Sequence, residues 1–215
     1  MRYLVKYRHG NRNKNEIALT LDDGPSNLTP EFLFKLNMFG IKATFFVIPQ
    51  NVRALPKVAK DILARGHELG LHVVQPKTFS WTQAFFQRTN ESAIDDAVKT
   101  INEVCGIKPR FFRPSPEMAV SRGIGQTLKK RGLIPILASA YSRVHRPVEM
   151  QVYDITKNLN SGDIILLHDG HDLLRESPRP ENDLKILPKV VEEAHSKGLT
   201  FVTISQLIEE PPYYN

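Results

Sequence analysis

Ile17-Ala18-Leu19-Thr20-Leu21, followed at once by Asp22-Asp23-Gly24-Pro25, is the stretch on which the reading of the fold turns. A short apolar run without polar alternation reads as a strand covered on both faces, the condition of a parallel sheet. Asp, Gly and Pro then end it as turn formers. A helix is expected next, with Thr29 as N-cap, Pro30 at its first position, Phe32, Leu33, Leu36 and Phe39 on one side and Gly40 as terminator. A second buried strand, Ala43 to Ile48, follows.

The same alternation runs on through the chain. Helices are predicted over 56–65, 92–105, 125–131, 153–159 and 184–197, and strands over 68–72, 110–112, 134–138, 164–167 and 201–203. Gly66, Gly106, Gly132 and Gly198 stand where helices should stop. These units, about seven in number, predict an α/β fold of βα units around a parallel sheet, either open or closed into a TIM-like barrel. No linker divides them, so residues 1–215 read as a single domain, with 1–15 as a basic N-terminal extension.

With 215 residues at 24.4 kDa and 41% hydrophobic content, the chain is long enough for one sizeable core. Its single cysteine, Cys105, cannot close an internal disulfide. No apolar run approaches the roughly 20 residues that span a bilayer, and Met1 to Lys14 lacks the apolar stretch of a signal peptide, so the chain shows neither a membrane span nor an export signal. Lys plus Arg minus Asp plus Glu is 29 − 23 = +6. The one basic run, Arg2, Lys6, Arg8, Arg12 and Lys14, comes without a recognition helix or aromatic platform and reads as a solvated tail, which sets nucleic acid aside.

The reactive side chains fall at the C-terminal ends of the expected strands, where parallel α/β folds build their sites. Asp22 and Asp23 follow the first, His72 ends the third, Arg113 follows the fourth, and His168 with Asp169 follows the sixth. Adjacent carboxylates point in different directions, so one can ligate a cation while the other serves as a base, although Asp22-Asp23-Gly24-Pro25 also suits a simple turn. His67 and His72 are five apart, an odd spacing that sends them to opposite faces of a strand. His67 is read as a cap or hydrogen-bonded loop residue and His72 as the ligand candidate. His171 and Asp172 read as loop decoration, and Phe79, Trp81, Phe85 and Phe86 as local packing.

In order, Thr20-Leu21-Asp22-Asp23-Gly24-Pro25, Lys42-Ala43-Thr44-Phe45-Phe46-Val47, Gly66-His67-Glu68-Leu69-Gly70-Leu71-His72, Phe112-Arg113-Pro114 and Ile165-Leu166-Leu167-His168-Asp169 resemble the motifs of the polysaccharide deacetylases, carbohydrate esterase family four or the NodB-homology domain. The resemblance runs from about Ile17 to Ile208. It implies a distorted (β/α)7 barrel and a divalent metal, usually zinc, that activates water to remove acetyl groups from an N- or O-acetylated carbohydrate polymer or oligomer. Carried over, Asp22 is the general base, Asp23 and His72 are metal ligands, His168 is the general acid, and Arg113 orients the catalytic carboxylate.

Three positions depart from that pattern. The family's next ligand histidine, four residues after the first, is Pro76 here, and a shift of one brings up Gln75, a weaker neutral donor. His67, His145 or His171 would have to fold inward to replace it. The tyrosine whose backbone N–H helps hold the oxyanion is replaced in Arg113-Pro114-Ser115-Pro116 by Pro116, which has no N–H. Losing one such donor costs on the order of 3 kcal/mol. Val144 and His145 stand where an Asp-Trp pair buttresses the arginine. Three readings therefore stay open: a divergent deacetylase with impaired or altered activity, an inactive carbohydrate-binding member, and a hydrolase working without metal. A fourth, a module that reads an acidic polymer through the basic run, rests on charge alone.

Overall fold

The computed structural model describes residues 7–73, 91–114, 124–142, 146–171 and 180–214. The opening apolar run becomes β1 (Glu16–Asp22), whose residues from Ile17 onward are all buried. It lies among the other strands: β2 (Thr44–Val47), β3 (Glu68–Val73), β4 (Phe111–Pro114), β5 (Ile134–Pro135), β6 (Ile164–His168) and β7 (Thr200–Val202). The helices are α1 (Thr29–Met38), α2 (Pro49–Ala54), α3 (Pro56–Ala64), α4 (Glu91–Cys105), α5 (Ile124–Lys130), α6 (Val148–Thr156), α7 (Pro180–Ser196) and α8 (Ile204–Ile208).

All strand pairs are parallel, in the order β5-β4-β3-β2-β1-β6. The two edges meet: the backbone N–H groups of Ser139 and Ala140 both donate to Ile164 O, and Leu166 N–H donates to Ala140 O. The sheet thus curls into the expected distorted (β/α)7 barrel. The distortion sits at β7, which pairs with residues 16–18 of β1, whereas β2 pairs with residues 20–22. Since β6 already occupies the other side of β1 at Ala18, β7 is wedged below β2.

Side-chain alternation separates two apolar layers. Leu19, Leu21, Phe45, Leu69, Leu71 and Phe112 face the helices and pack with Phe32, Leu33, Ile62, Ile101 and Val190. Ala18, Phe46, Phe111, Ile134 and Ile164 face inward, and Ile204, Leu207 and Ile208 of α8 close the floor beneath them. Buried Glu68 ties that floor to β3 by accepting hydrogen bonds from the Thr44 hydroxyl (2.8 Å), Ser205 N–H (3.3 Å) and the Ser205 hydroxyl.

Several expectations shift in detail. Thr29 is not the N-cap of α1. Leu28 takes that position, because the Thr29 hydroxyl bonds to Asp169 Oδ2 at 2.5 Å and accepts from Ser26 N–H at 2.8 Å. Arg113 lies within β4 rather than after it. β5 stops at Pro135, not 138, since the chain crosses to β6. The helix expected over 153–159 runs from Val148, directly after Pro147. Two short helices, α2 and α8, were not expected; α8 starts with a capping box in which Thr203 N–H donates to Gln206 Oε1 at 3.0 Å.

Residues 7–14 of the basic stretch run along the barrel. Tyr7 N–H donates to Pro135 O, Leu137 N–H donates to Tyr7 O, Arg12 Nη1 reaches Asp163 at 2.7 Å and Lys14 reaches Glu209 at 2.6 Å. Among the described residues, no helix is long and apolar enough to cross a membrane.

His67 is part of this framework, as the sequence indicated. It lies before β3, at the opposite end from His72, accepts Ala43 N–H through Nδ1 (3.1 Å) and meets the Phe45 ring edge-on at 5.5 Å. Burial, reinforced by Lys42 and Arg65, pushes its pKa down to about 4. As pH falls below about 6.5 the unfolded chain takes up a proton that folded His67 refuses until about 4. Stability should therefore decline across that window by up to about 1.4 kcal/mol per pH unit from this group. Urea denaturation of His67→Gln, which keeps an acceptor for Ala43, should show a flatter slope between pH 6.5 and 4, whereas equal slopes would contradict the assignment.

Gly70 is set by close approach. A Cβ there would lie 2.6 Å from the Phe46 ring and 3.2 Å from Phe111 O. Phe46 in turn carries the Arg113 guanidinium 4.1 Å above its ring centroid. Gly70→Ala should cost about 1–3 kcal/mol by overpacking, read as a lower urea midpoint, and a midpoint unchanged from wild type would show that Phe46 yields freely.

Candidate active site

Strand register and alternation bring the flagged residues to one mouth. Asp22 pairs with His168 across β1 and β6, and His72 pairs with Arg113 across β3 and β4. All four belong to the inward-facing set at the C-terminal strand ends, the position the sequence assigned them.

Arg113 is buried, 3% exposed. Its Nη1 donates to Asp22 Oδ1 at 2.8 Å and to the Thr20 hydroxyl at 2.6 Å, and its Nε donates to Ile136 O at 3.2 Å. A carboxylate held by such a cation keeps one orientation, which a base requires. Nη2 is buried without a hydrogen-bond partner among the described residues. Val144 and His145, where the family resemblance places a buttress, lie outside the described residues, as does Pro116.

Asp23 adopts a left-handed backbone (φ 67), an uncommon conformation that Asp tolerates better than most residues, and its carbonyl accepts a hydrogen bond from Asn51 Nδ2 at 2.8 Å. That turn directs its carboxylate at His72, with Oδ1 3.2 Å from Nε2. On the other side of the ring, Nδ1 lies 2.7 Å from the carbonyl of Arg113 and must donate to it, because a carbonyl only accepts. Nε2 and Oδ1 are then two lone-pair donors facing each other, an arrangement that needs a cation or a second proton between them. Burial opposes a charge on His72, but Asp23, Asp22 and the Arg113 carbonyl outweigh it and hold the pKa above the ordinary imidazole value. The pair fits two ligands of a divalent metal.

Among the described residues no third His, Cys, Asp or Glu completes a metal cluster. His67 is at the far end of β3, and exposed His171 lies 3.8 Å from Glu181. Gln75, Pro76 and His145, together with Asp172, Phe79, Trp81, Phe85 and Phe86, lie outside the described residues.

His168 meets a residue that the sequence reading passed over. Asp183, in the first turn of α7, lies 2.9 Å from its Nδ1. The sequence predicts that helix from Leu184, whereas α7 starts four residues earlier, at Pro180. An Asp just ahead of an apolar helical run was the available signal.

Asp169 is fully buried beside the β1–α1 turn. Its N–H donates to Asp22 O at 3.1 Å, its carbonyl accepts the Ser26 hydroxyl, and its carboxylate takes the Thr29 hydroxyl. Gly24 packs directly on that carboxylate, leaving no room for a Cβ. Burial pushes the Asp169 pKa up to about 7, with Asp23 and Asp22 adding to it against the Thr29 bond. This acid is a clasp that holds the turn bearing Asp22 and Asp23 to the end of β6.

Known proteins place this site in a family. The model of the polysaccharide deacetylase family matches residues 9–135. A peptidoglycan-N-acetylglucosamine deacetylase of Bacillus cereus is 30% identical over 204 residues, covering 91% of this chain and 89% of the relative. Among solved structures, a peptidoglycan N-acetylglucosamine deacetylase crystallised with a hydroxamate-type ligand superposes with a TM-score of 0.80 over 96% of this chain and 94% of its own at 23% identity. A CE4 family pseudoenzyme from Bacillus anthracis shares the fold at a TM-score of 0.73 and 19% identity, over 93% of this chain and 67% of its own. The barrel, the ordered motifs and the match over most of its length show that this chain belongs to the polysaccharide deacetylase family.

Proposed function

We propose that the protein is a divergent deacetylase that hydrolyses acetyl amide, or ester, groups on an N- or O-acetylated carbohydrate polymer. The observation that carries this reading is the presence, at one barrel mouth, of a carboxylate held by a cation (Asp22 with Arg113) and an imidazole held by a carboxylate (His168 with Asp183). The two pairings orient one group as a proton acceptor and the other as a proton donor. Asp22 takes the proton of the attacking water, and Arg113 keeps it aimed. His168 gives a proton to the leaving nitrogen as the C–N bond breaks, releasing acetate and the free amine.

Asp23 and His72 would hold a divalent metal, zinc by family resemblance. Bound there it would acidify water and polarise the acetyl carbonyl. With Pro76 at the family's next ligand position, affinity for that ion is expected to be low, and Pro116 removes an oxyanion donor. The relative from Bacillus cereus makes acetylated glucosamine units of peptidoglycan the first substrate to try.

A second reading, an inactive carbohydrate-binding member, is favoured by the Nη2 of Arg113, which is unpartnered among the described residues. Half-satisfied buried networks are costly and position groups poorly. Retention on polymer without acetate release would select it.

Asp22→Asn keeps an oxygen for Arg113 but removes the base. Acetate release from N-acetylglucosamine oligomers should fall by about 100-fold or more, with thermal unfolding still cooperative. Equal release by wild type and variant would remove Asp22 from the role. Pro76→His should tighten zinc binding measured by calorimetry by about tenfold or more, roughly 1.4 kcal/mol. An unchanged affinity would show that residue 76 lies off the path of the ion.

A further inference from the structure

We infer that Asp183 is the positioning residue for the acid: from the first turn of α7 it fixes the ring of His168 so that Nε2 is the atom presented to the substrate. The inference rests on the reading of His168 as the acid. One oxygen, Oδ2, lies 2.7 Å from the backbone N of His168 and 2.9 Å from its Nδ1. A backbone N–H only donates, so the first contact locks the carboxylate to the main chain of β6. The second contact then sets the ring relative to that same strand. Nδ1 carries the proton in this arrangement, and Nε2 is left for the mouth.

The support is rigid. Leu184 and Leu187 of α7 are in the core, Asp183 is 6% exposed, and the start of a 17-residue helix favours a negative charge in its first turn. The charged groups that act on His168 are Asp22 and Asp23 from β1 and Asp183 from α7. Burial works against the imidazolium, and Asp183 leads the carboxylates that offset it, so the ring holds its proton above the ordinary imidazole value. Of the three, Asp183 alone bonds to the ring among the described contacts. Asp22 is engaged by Arg113 and Asp23 by His72.

A helix-to-strand clamp with no bearing on the ring would need only the backbone bond. Imidazole 15N–1H spectra of the full-length chain separate the two cases without reference to turnover. In wild type at high pH, neutral His168 should be the Nδ1–H tautomer, and an Nε2–H tautomer would overturn the inference with no variant made. In Asp183→Asn, which keeps the shape and loses the charge, the His168 titration midpoint should fall by roughly one unit. The alkaline limb of kcat for acetate release from N-acetylglucosamine oligomers should move down with it. kcat should fall at least tenfold with KM little changed, and Asp183→Glu should recover part of the midpoint. A midpoint and tautomer identical to wild type in Asp183→Asn would reduce Asp183 to the clamp. If the midpoint moves while wild type releases no acetate, the positioning stands and the acid role of His168 falls.

Discussion

The interior of this barrel contains a guanidinium that cannot leave. Arg113 is enclosed by Phe46 below its plane, Ile136 O at Nε, and Thr20 with Asp22 at Nη1. Removing one partner of such a buried pair typically costs about 3–5 kcal/mol, because the other charge stays behind without solvent. β1 and β4 are thereby bound across the barrel axis, and the carboxylate at the end of β1 is held to one orientation. What surrounds the pair accommodates it: Gly70 gives Phe46 its space, and Phe46 supplies the surface on which the cation lies.

That anchoring propagates upward to the mouth. Because Asp22 is fixed by Arg113, the next residue must turn sharply to face elsewhere, and Asp23 does so through its left-handed backbone, toward His72. Asp169 secures the turn from β6, with the Ser26 and Thr29 hydroxyls bonded to it. The carboxylates thereby serve different ends. Asp22 is paired with a fixed cation, Asp23 faces an imidazole lone pair, Asp169 is a buried clasp, and Asp183 holds the His168 ring.

Asp22, His72, Arg113 and His168 are bonded at the mouth, whereas Pro76, Pro116 and Val144, where the sequence departs from the family resemblance, lie outside the described residues. The Nη2 of Arg113 is buried without a partner among the described residues.

How much was legible in the chain depends on the range of the forces involved. Alternating strand and helix runs, the terminating glycines and the strand-end placement of Asp22, Asp23, His72, Arg113 and His168 are local properties, set by side-chain period and turn chemistry, and they could be read directly. The same is true of the odd spacing that separated His67 from His72. Asp183, the clasp role of Asp169, the wedge of β7 below β2 and the use of the Thr29 hydroxyl could not be read in this way. Each depends on a partner distant in sequence, such as the 140 residues between Thr29 and Asp169. The sequence by itself determined which residues reach the mouth, because strand parity and strand ends place them there. Only the tertiary structure decided which residue bonds to which, because those choices follow from barrel closure, where a buried charge or hydroxyl must take whatever partner the packed neighbours bring within about 3 Å.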